Sequence, residues 1–183
     1  MSPGRATLGF LLAALASLIA CQRAAEPAPE RATAAAAPAT LAAEWIDFAG
    51  LEQRITAEHG RVVVVNFWAT WCEPCREEFP GIVELQRRYG ARGLTVLSLS
   101  LDAPSDRDSE VRKFLAEQRP SFPVFIKTAG DPDEFINAVD PKWTGSLPAT
   151  LIYDRSGERR QAIYHPLTLA DLVGYVEPLL RAR

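Results

Sequence analysis

Sulfur and imidazole are scarce in this chain of 183 residues, which holds three cysteines, one methionine and two histidines. Three cysteines cannot build the disulfide framework of a secreted miniprotein, and two histidines leave little for a metal cage. A basic excess is missing too. Lys plus Arg number 20 against 23 Asp plus Glu, a net charge of −3, so the positive footprint of a nucleic-acid binder is absent and no such partner is expected. The uncharged apolar run Leu8 to Ala20 holds 13 residues, too few to cross a hydrocarbon core as a helix. What is present is ordinary: 48% apolar and 23% charged residues exclude wholesale disorder and collagen, and point to one folded domain with a tail.

The N-terminus has the layout of an export signal, with Arg5 ahead of the apolar run. Leu18-Ile19-Ala20-Cys21 then resembles the lipobox of bacterial lipoproteins. That resemblance implies cleavage after residue 20, acylation of Cys21 and attachment to a lipid bilayer on its extracytoplasmic side. Gln22 in place of Asp resembles the pattern sent to the outer membrane of Gram-negative bacteria. Residues 22–43 contain 11 Ala and 3 Pro. Pro27, Pro29 and Pro38 interrupt any helix there, so this stretch reads as an extended tether. The expected organisation is a signal peptide at 1–20, the lipidated Cys with its linker at 21–43, and a domain at 44–183.

Within the domain, Trp45, Phe48, Leu51 and Ile55 recur at helical spacing. Arg61 to Trp68 is an apolar, β-branched run too short for a helix and too continuous for a half-exposed strand, so it reads as a central strand. Phe79, Ile82, Val83 and Tyr89 mark a helix from Cys75 that Gly90 stops, with Pro80 expected to kink it. Leu94 to Leu101 is a second buried strand, and short joins between strand, helix and strand imply a parallel crossover. Val111, Phe114 and Leu115 mark a helix ending before Pro120, and Phe122 to Lys127 a further strand. Asp131-Pro132-Asp133-Glu134 carries the start signals of a short helix. Ala149 to Asp154 and Glu158 to Tyr164 flank the turn Arg155-Ser156-Gly157 as a hairpin, and Thr168 with Asp171 caps a last helix. The class is α/β, a mixed central sheet with helices on both faces.

Between the first of these strands and its helix stands Trp71-Cys72-Glu73-Pro74-Cys75. Two cysteines with two residues between them at a strand-to-helix junction form a redox signature. At a helix start the free amide N–H groups and the positive end of the macrodipole stabilise a thiolate, the nucleophilic form of sulfur. Pro74 lacks an N–H and fits the first turn without losing a bond. Cys72 is expected to be the exposed attacking thiol and Cys75 the more buried resolving one. A zinc site would have to recruit His59 and His165, which lack the spacing of a finger. Haem attachment needs His after the second cysteine, where Arg76 stands. A purely structural disulfide closes too short a loop to gain much chain entropy. No metal or other cofactor is expected.

Val64 to Pro80 (VVNFWATWCEPCREEFP) with Gly145 to Gly157 (GSLPATLIYDRSG) resembles the thioredoxin-like TlpA/ResA family of membrane-tethered extracytoplasmic thiol-disulfide reductases, over essentially all of 44–183. The resemblance implies a thioredoxin fold with a family-type insertion ahead of the hairpin. It implies disulfide exchange without a bound cofactor, electrons received from a membrane donor, and client disulfides such as those of cytochrome c maturation components. Pro148 matches the family's cis proline, whose backbone meets an extended client beside Leu147; from the residues alone it could equally be a trans proline opening a strand. Glu78 matches an acid beneath the redox pair, in place to take the Cys75 proton. An acid in the first turns also simply suits a helix dipole. Asn66 stands where ordinary thioredoxins keep a buried Asp, so any proton relay rests on Glu78. Trp71 is a candidate docking surface, whereas Trp68 and Trp143 read as packing.

Glu73 places a negative charge beside Cys72 and opposes its thiolate, which favours a reducing couple and hence a reductase. The alternatives are a thiol oxidase or isomerase on the same fold, and a copper-binding chaperone, which uses a three-residue spacer and a distant His for which His165 is the downstream candidate. A thioredoxin-like peroxidase relies on Thr-x-x-Cys, and position 69 is Ala.

Overall fold

A computed structural model describes residues 43–182; the signal segment, Cys21 and the linker up to residue 42 lie outside the described residues. Six strands form one sheet in the order β1-β4-β3-β2-β5-β6. They are β1 (Glu44–Ile46), β2 (Val62–Trp68), β3 (Leu94–Ser100), β4 (Val124–Lys127), β5 (Ala149–Tyr153) and β6 (Arg159–Ile163). The first four are mutually parallel, β5 runs antiparallel to β2, and β6 runs antiparallel to β5. The run read from the sequence as a central strand is β2, and all seven of its residues are buried.

Period-two alternation along β2 divides the molecule into two cores. Val62, Val64 and Trp68 face α2 (Glu73–Tyr89), α3 (Arg112–Gln118) and α5 (Leu169–Arg181), where Phe79, Ile82, Phe114, Leu172 and Val176 pack. Val63, Val65 and Phe67 face α1 (Phe48–Ala57) and α4 (Pro132–Val139), where Leu51, Phe135 and Val139 pack. Helices on both faces of a mixed sheet are thus observed. The first core is aromatic at its centre: Trp68, Phe79 and Phe114 lie with ring centroids 4.9–5.0 Å apart, a geometry that adds to their area of burial.

One element differs from the sequence reading. Trp45 belongs to the edge strand β1, paired with β4, not to the first helix. That helix begins after Asp47, whose carboxylate accepts the Gly50 N–H at 2.7 Å. Three strand residues are too few to show a period, so Trp45 coincided with helical spacing by chance. The helix ahead of Pro120 also starts irregularly, through a 3₁₀ turn at Pro104–Asp106 and a π turn at Arg107–Val111.

The start of α5 matters for the site. Thr168 Oγ1 accepts the Asp171 N–H, and Asp171 returns a bond to the Thr168 N–H, a complete capping box. This pins the segment that carries Leu167. Thr168→Ala is expected to cost about 1 kcal/mol, read as a lower urea midpoint with an unchanged slope; an unchanged midpoint contradicts the assigned cap.

Candidate active site

Cys72 is the N-cap of α2, and its Sγ accepts the Cys75 N–H at 3.3 Å. A sulfur thus occupies the place of the usual capping oxygen, aimed at the free amide groups of the first turn. Cys72 and Cys75 are joined as a disulfide, with Cα atoms 5.3 Å apart. Pro74 sits in the first turn, exposed, and Trp71 is 68% exposed just ahead of the pair. Cys72 is less open than expected. Only 6% of it is exposed, against 2% of Cys75, because its bonded sulfur packs onto the helix start and into the aromatic core.

The loop between β2 and Cys72 is tied to β3 by Asp102, which is 3% exposed. Its carboxylate accepts the Thr70 N–H at 2.9 Å and both the Thr70 and Ser100 hydroxyls. Sequence reasoning passed over this residue. The available signal was an acid at the carboxyl end of a strand, the end where α/β folds assemble their sites.

Glu78 lies one turn after Cys75 on the same face of α2, neighbours at about 5–6 Å between Cβ atoms. It is 5% exposed. Asn66 Nδ2 donates to Oε1 at 3.0 Å, and the Leu167 N–H donates to Oε2 at 2.8 Å. Burial pushes its carboxyl from the ordinary 4.5 up to about 7, against the pull of these two donors and of nearby His165. A groove of about 350 Å³ borders it, lined by Pro74, Glu77 and Gly81 on one side and Pro166 to Leu169 on the other. Glu78 thus borders a groove open to solvent.

The Leu147–Pro148 bond is cis. Pro148 is buried, and half-buried Leu147 packs against the cluster that contains both cysteines. The loop before it hangs on a frame the sequence reading did not foresee. Trp143 Nε1 donates to the Ser146 carbonyl at 2.8 Å, and the Trp143 ring stacks on Tyr164. The Tyr164 hydroxyl donates to Asp140 at 2.7 Å, and Arg159 pairs with the same carboxylate. Gly145, at φ +82°, leaves room for Ile136 where a Cβ would approach to 2.7 Å. The structure therefore brings Trp71, Cys72, Pro74, Cys75, Glu78 and Leu147 to the carboxyl end of β2. His59 stands at the other end, against Gly157 of the hairpin turn, roughly 20 Å along a seven-residue strand. It cannot share an ion with the cysteines, and among the described residues no three His, Cys, Asp or Glu side chains group to hold a metal.

A family model described as AhpC/TSA family matches residues 34–161. The chain belongs to the AhpC/TSA family. The thiol-disulfide oxidoreductase ResA of Geobacillus kaustophilus is 32% identical over 133 residues, which cover 73% of this chain and 71% of that protein. ResA of Bacillus anthracis is 29% identical over the same length. Among solved structures, a thiol:disulfide interchange protein of the thioredoxin family from Chlorobium tepidum is 29% identical with a TM-score of 0.58, over 68% of this chain and 83% of that one. The resemblance to ResA-type proteins read from VVNFWATWCEPCREEFP is thereby met, and the fold of this AhpC/TSA member is thioredoxin-like.

Its buried acid makes stability depend on pH with a definite sign. Between about 4.5 and about 7 the folded protein keeps a proton on Glu78 that the unfolded chain has released. This contribution is full below the lower value and is lost as pH rises through the upper one, on the order of 3 kcal/mol in all. Urea unfolding of the oxidised protein near pH 5 and near pH 8 measures it, and Glu78→Gln is expected to flatten the difference. Equal slopes in the two proteins contradict the assignment.

Proposed function

We propose that this chain is an extracytoplasmic thiol-disulfide oxidoreductase, held at a bilayer through acylated Cys21, that reduces disulfides in client proteins. The observation that carries the reading is the sulfur of Cys72 standing as the N-cap of α2 with Cys75 bonded to it. The ResA relatives support the reaction class. The lipobox-like Leu18-Ile19-Ala20-Cys21 supports the anchor, and Gln22 favours the outer membrane.

In the reduced protein the amide N–H groups at the head of α2 stabilise the Cys72 thiolate. That thiolate attacks one sulfur of a client disulfide, and the other client sulfur leaves with the electron pair. Cys75 then gives its proton to the Glu78 carboxylate and attacks Cys72 Sγ. The second client sulfur leaves as a thiolate and both client thiolates take up protons, so two electrons pass to the client and the Cys72–Cys75 disulfide forms. A carboxyl whose affinity for protons is centred near neutral pH suits both uptake and release. The client chain lies extended along Leu147 and Pro148, with Trp71 and Pro74 as its apolar rim. A membrane electron donor returns the pair to the dithiol. Clients include proteins of cytochrome c maturation.

Cys75→Ser is expected to leave Cys72 caught in mixed disulfides with clients, visible as thiol-sensitive adducts, whereas Cys72→Ser forms none. Adducts formed equally by both variants reverse the assigned roles. Glu73 beside Cys72 sets the direction: titration against glutathione or dithiothreitol is expected to place the couple nearer about −270 mV than about −120 mV. A midpoint above about −150 mV makes the protein an oxidase or isomerase instead.

A further inference from the structure

Glu78 must alternate between carboxylate and acid if it serves the exchange just proposed, and its two oxygens are not equivalent in this. Oε2 is met by the Leu167 N–H, a donor with no lone pair to receive an O–H. A proton on Oε2 would set two donors against each other. The proton therefore belongs on Oε1, the oxygen that faces Asn66.

There the hydrogen bonding fits only one state. Asn66 Nδ2 donates to Oε1, which suits the carboxylate and conflicts with the acid. Two polar atoms alongside have no partner: Asn66 Oδ1 and Ser98 Oγ, both buried. The strand register places these side chains next to each other. Asn66 of β2 pairs with Ser98 of β3, and parallel partners about 4.8 Å apart project to the same face. Unpartnered buried polar atoms are costly and rare in native proteins, and two at adjacent positions beside a titrating acid form one local system.

We propose that Asn66, with Ser98 beside it, is a positioning residue that turns its amide end over end as Glu78 gains and loses a proton at Oε1. With the carboxylate, Nδ2 donates to Oε1 as observed, and the Ser98 hydroxyl, which makes no bond to Oδ1 as placed, turns about its side-chain torsion to donate to it. With the acid, Oε1 donates to Oδ1 and Nδ2 donates to Ser98 Oγ. Each state then satisfies Oε1, Oδ1, the Ser98 oxygen and the bridging N–H. An amide occupies the same volume either way round. An Asp at position 66 offers no N–H to the carboxylate and adds a second charge, and an apolar side chain serves neither state. The groups that face Glu78 leave Asn66 to do this. From the sheet come the neutral Asn66, Ser98 and Thr150. From the segment before α5 come the Leu167 N–H and His165, and from α2 itself the disulfide-bonded Cys75 and exposed Glu77.

The inference rests on the role given to Glu78 above, yet its test needs no client. In the oxidised full-length chain neither thiol titrates. NMR of labelled Asn side chains between about pH 5 and pH 9 is expected to show the Asn66 amide shifting with a single midpoint shared with the Glu78 carboxyl carbon, near 7. Glu78→Gln should abolish that shift and His165→Gln should keep it. Asn66→Leu is expected to raise the Glu78 midpoint by about one pH unit, with Asn66→Gln restoring part of the change. An Asn66 amide that stays fixed while Glu78 titrates, or that follows His165, overturns the proposal even if client trapping by Cys75→Ser succeeds. Failure of trapping with a titrating amide would instead condemn the exchange role of the cysteines.

Discussion

Seven consecutive buried residues in β2 constrain everything around them. A strand covered on both faces leaves no side chain free to point at water, so six of its seven positions are apolar and the exception, Asn66, must find its partners inside. The same alternation that sends Val64 and Trp68 toward α2 and α5 sends Asn66 there as well, directly onto Glu78. The acid is thus held against a fully buried strand, one helical turn from Cys75.

Around that strand, the loops of the site are fixed by polar groups rather than by apolar contact. Asp102 clamps the loop before Cys72 to the end of β3. Asp140, through Tyr164 and the stacked Trp143, holds the approach to Pro148. Asp140 is kept below the usual carboxylate range first by the Lys142 N–H and then by Tyr164, whereas burial and this same carboxylate push the Tyr164 hydroxyl up to about 12. At Glu78 burial instead pushes the carboxyl up to about 7. Donor supply differs as well: Asp102 and Asp140 each receive three donors, and Glu78 two.

Much of this was readable from the residues. Continuous β-branched runs identified β2 and β3, and cap residues identified α4 and α5, because local chemistry dictates those elements. The cysteine pair was legible for the same reason, its function following from two residues and a helix start. Trp45 was misplaced because a three-residue edge strand leaves no periodic trace and exists only by pairing with β4, 81 residues on by register. Asp102, Ser98 and the Asp140 frame were invisible because their meaning lies in partners distant along the chain. A carboxylate whose work is to hold a loop looks in sequence like any surface acid. The burial of Cys72 escaped notice similarly, being set by packing of the oxidised pair.

The bond from Leu167 to Glu78 spans 89 residues of sequence. Leu167 is the residue before the cap of α5, and α5 is the last helix, lying across α2. A backbone amide cannot be replaced by mutation of its own side chain, so the acidity of the Glu78 carboxyl is tethered to where the final helix begins. Whatever loosens that helix, whether a truncation or a neighbour pulling on its exposed side, retunes the proton affinity of Glu78 from outside, as a tailpiece alters the pitch of a string it never touches.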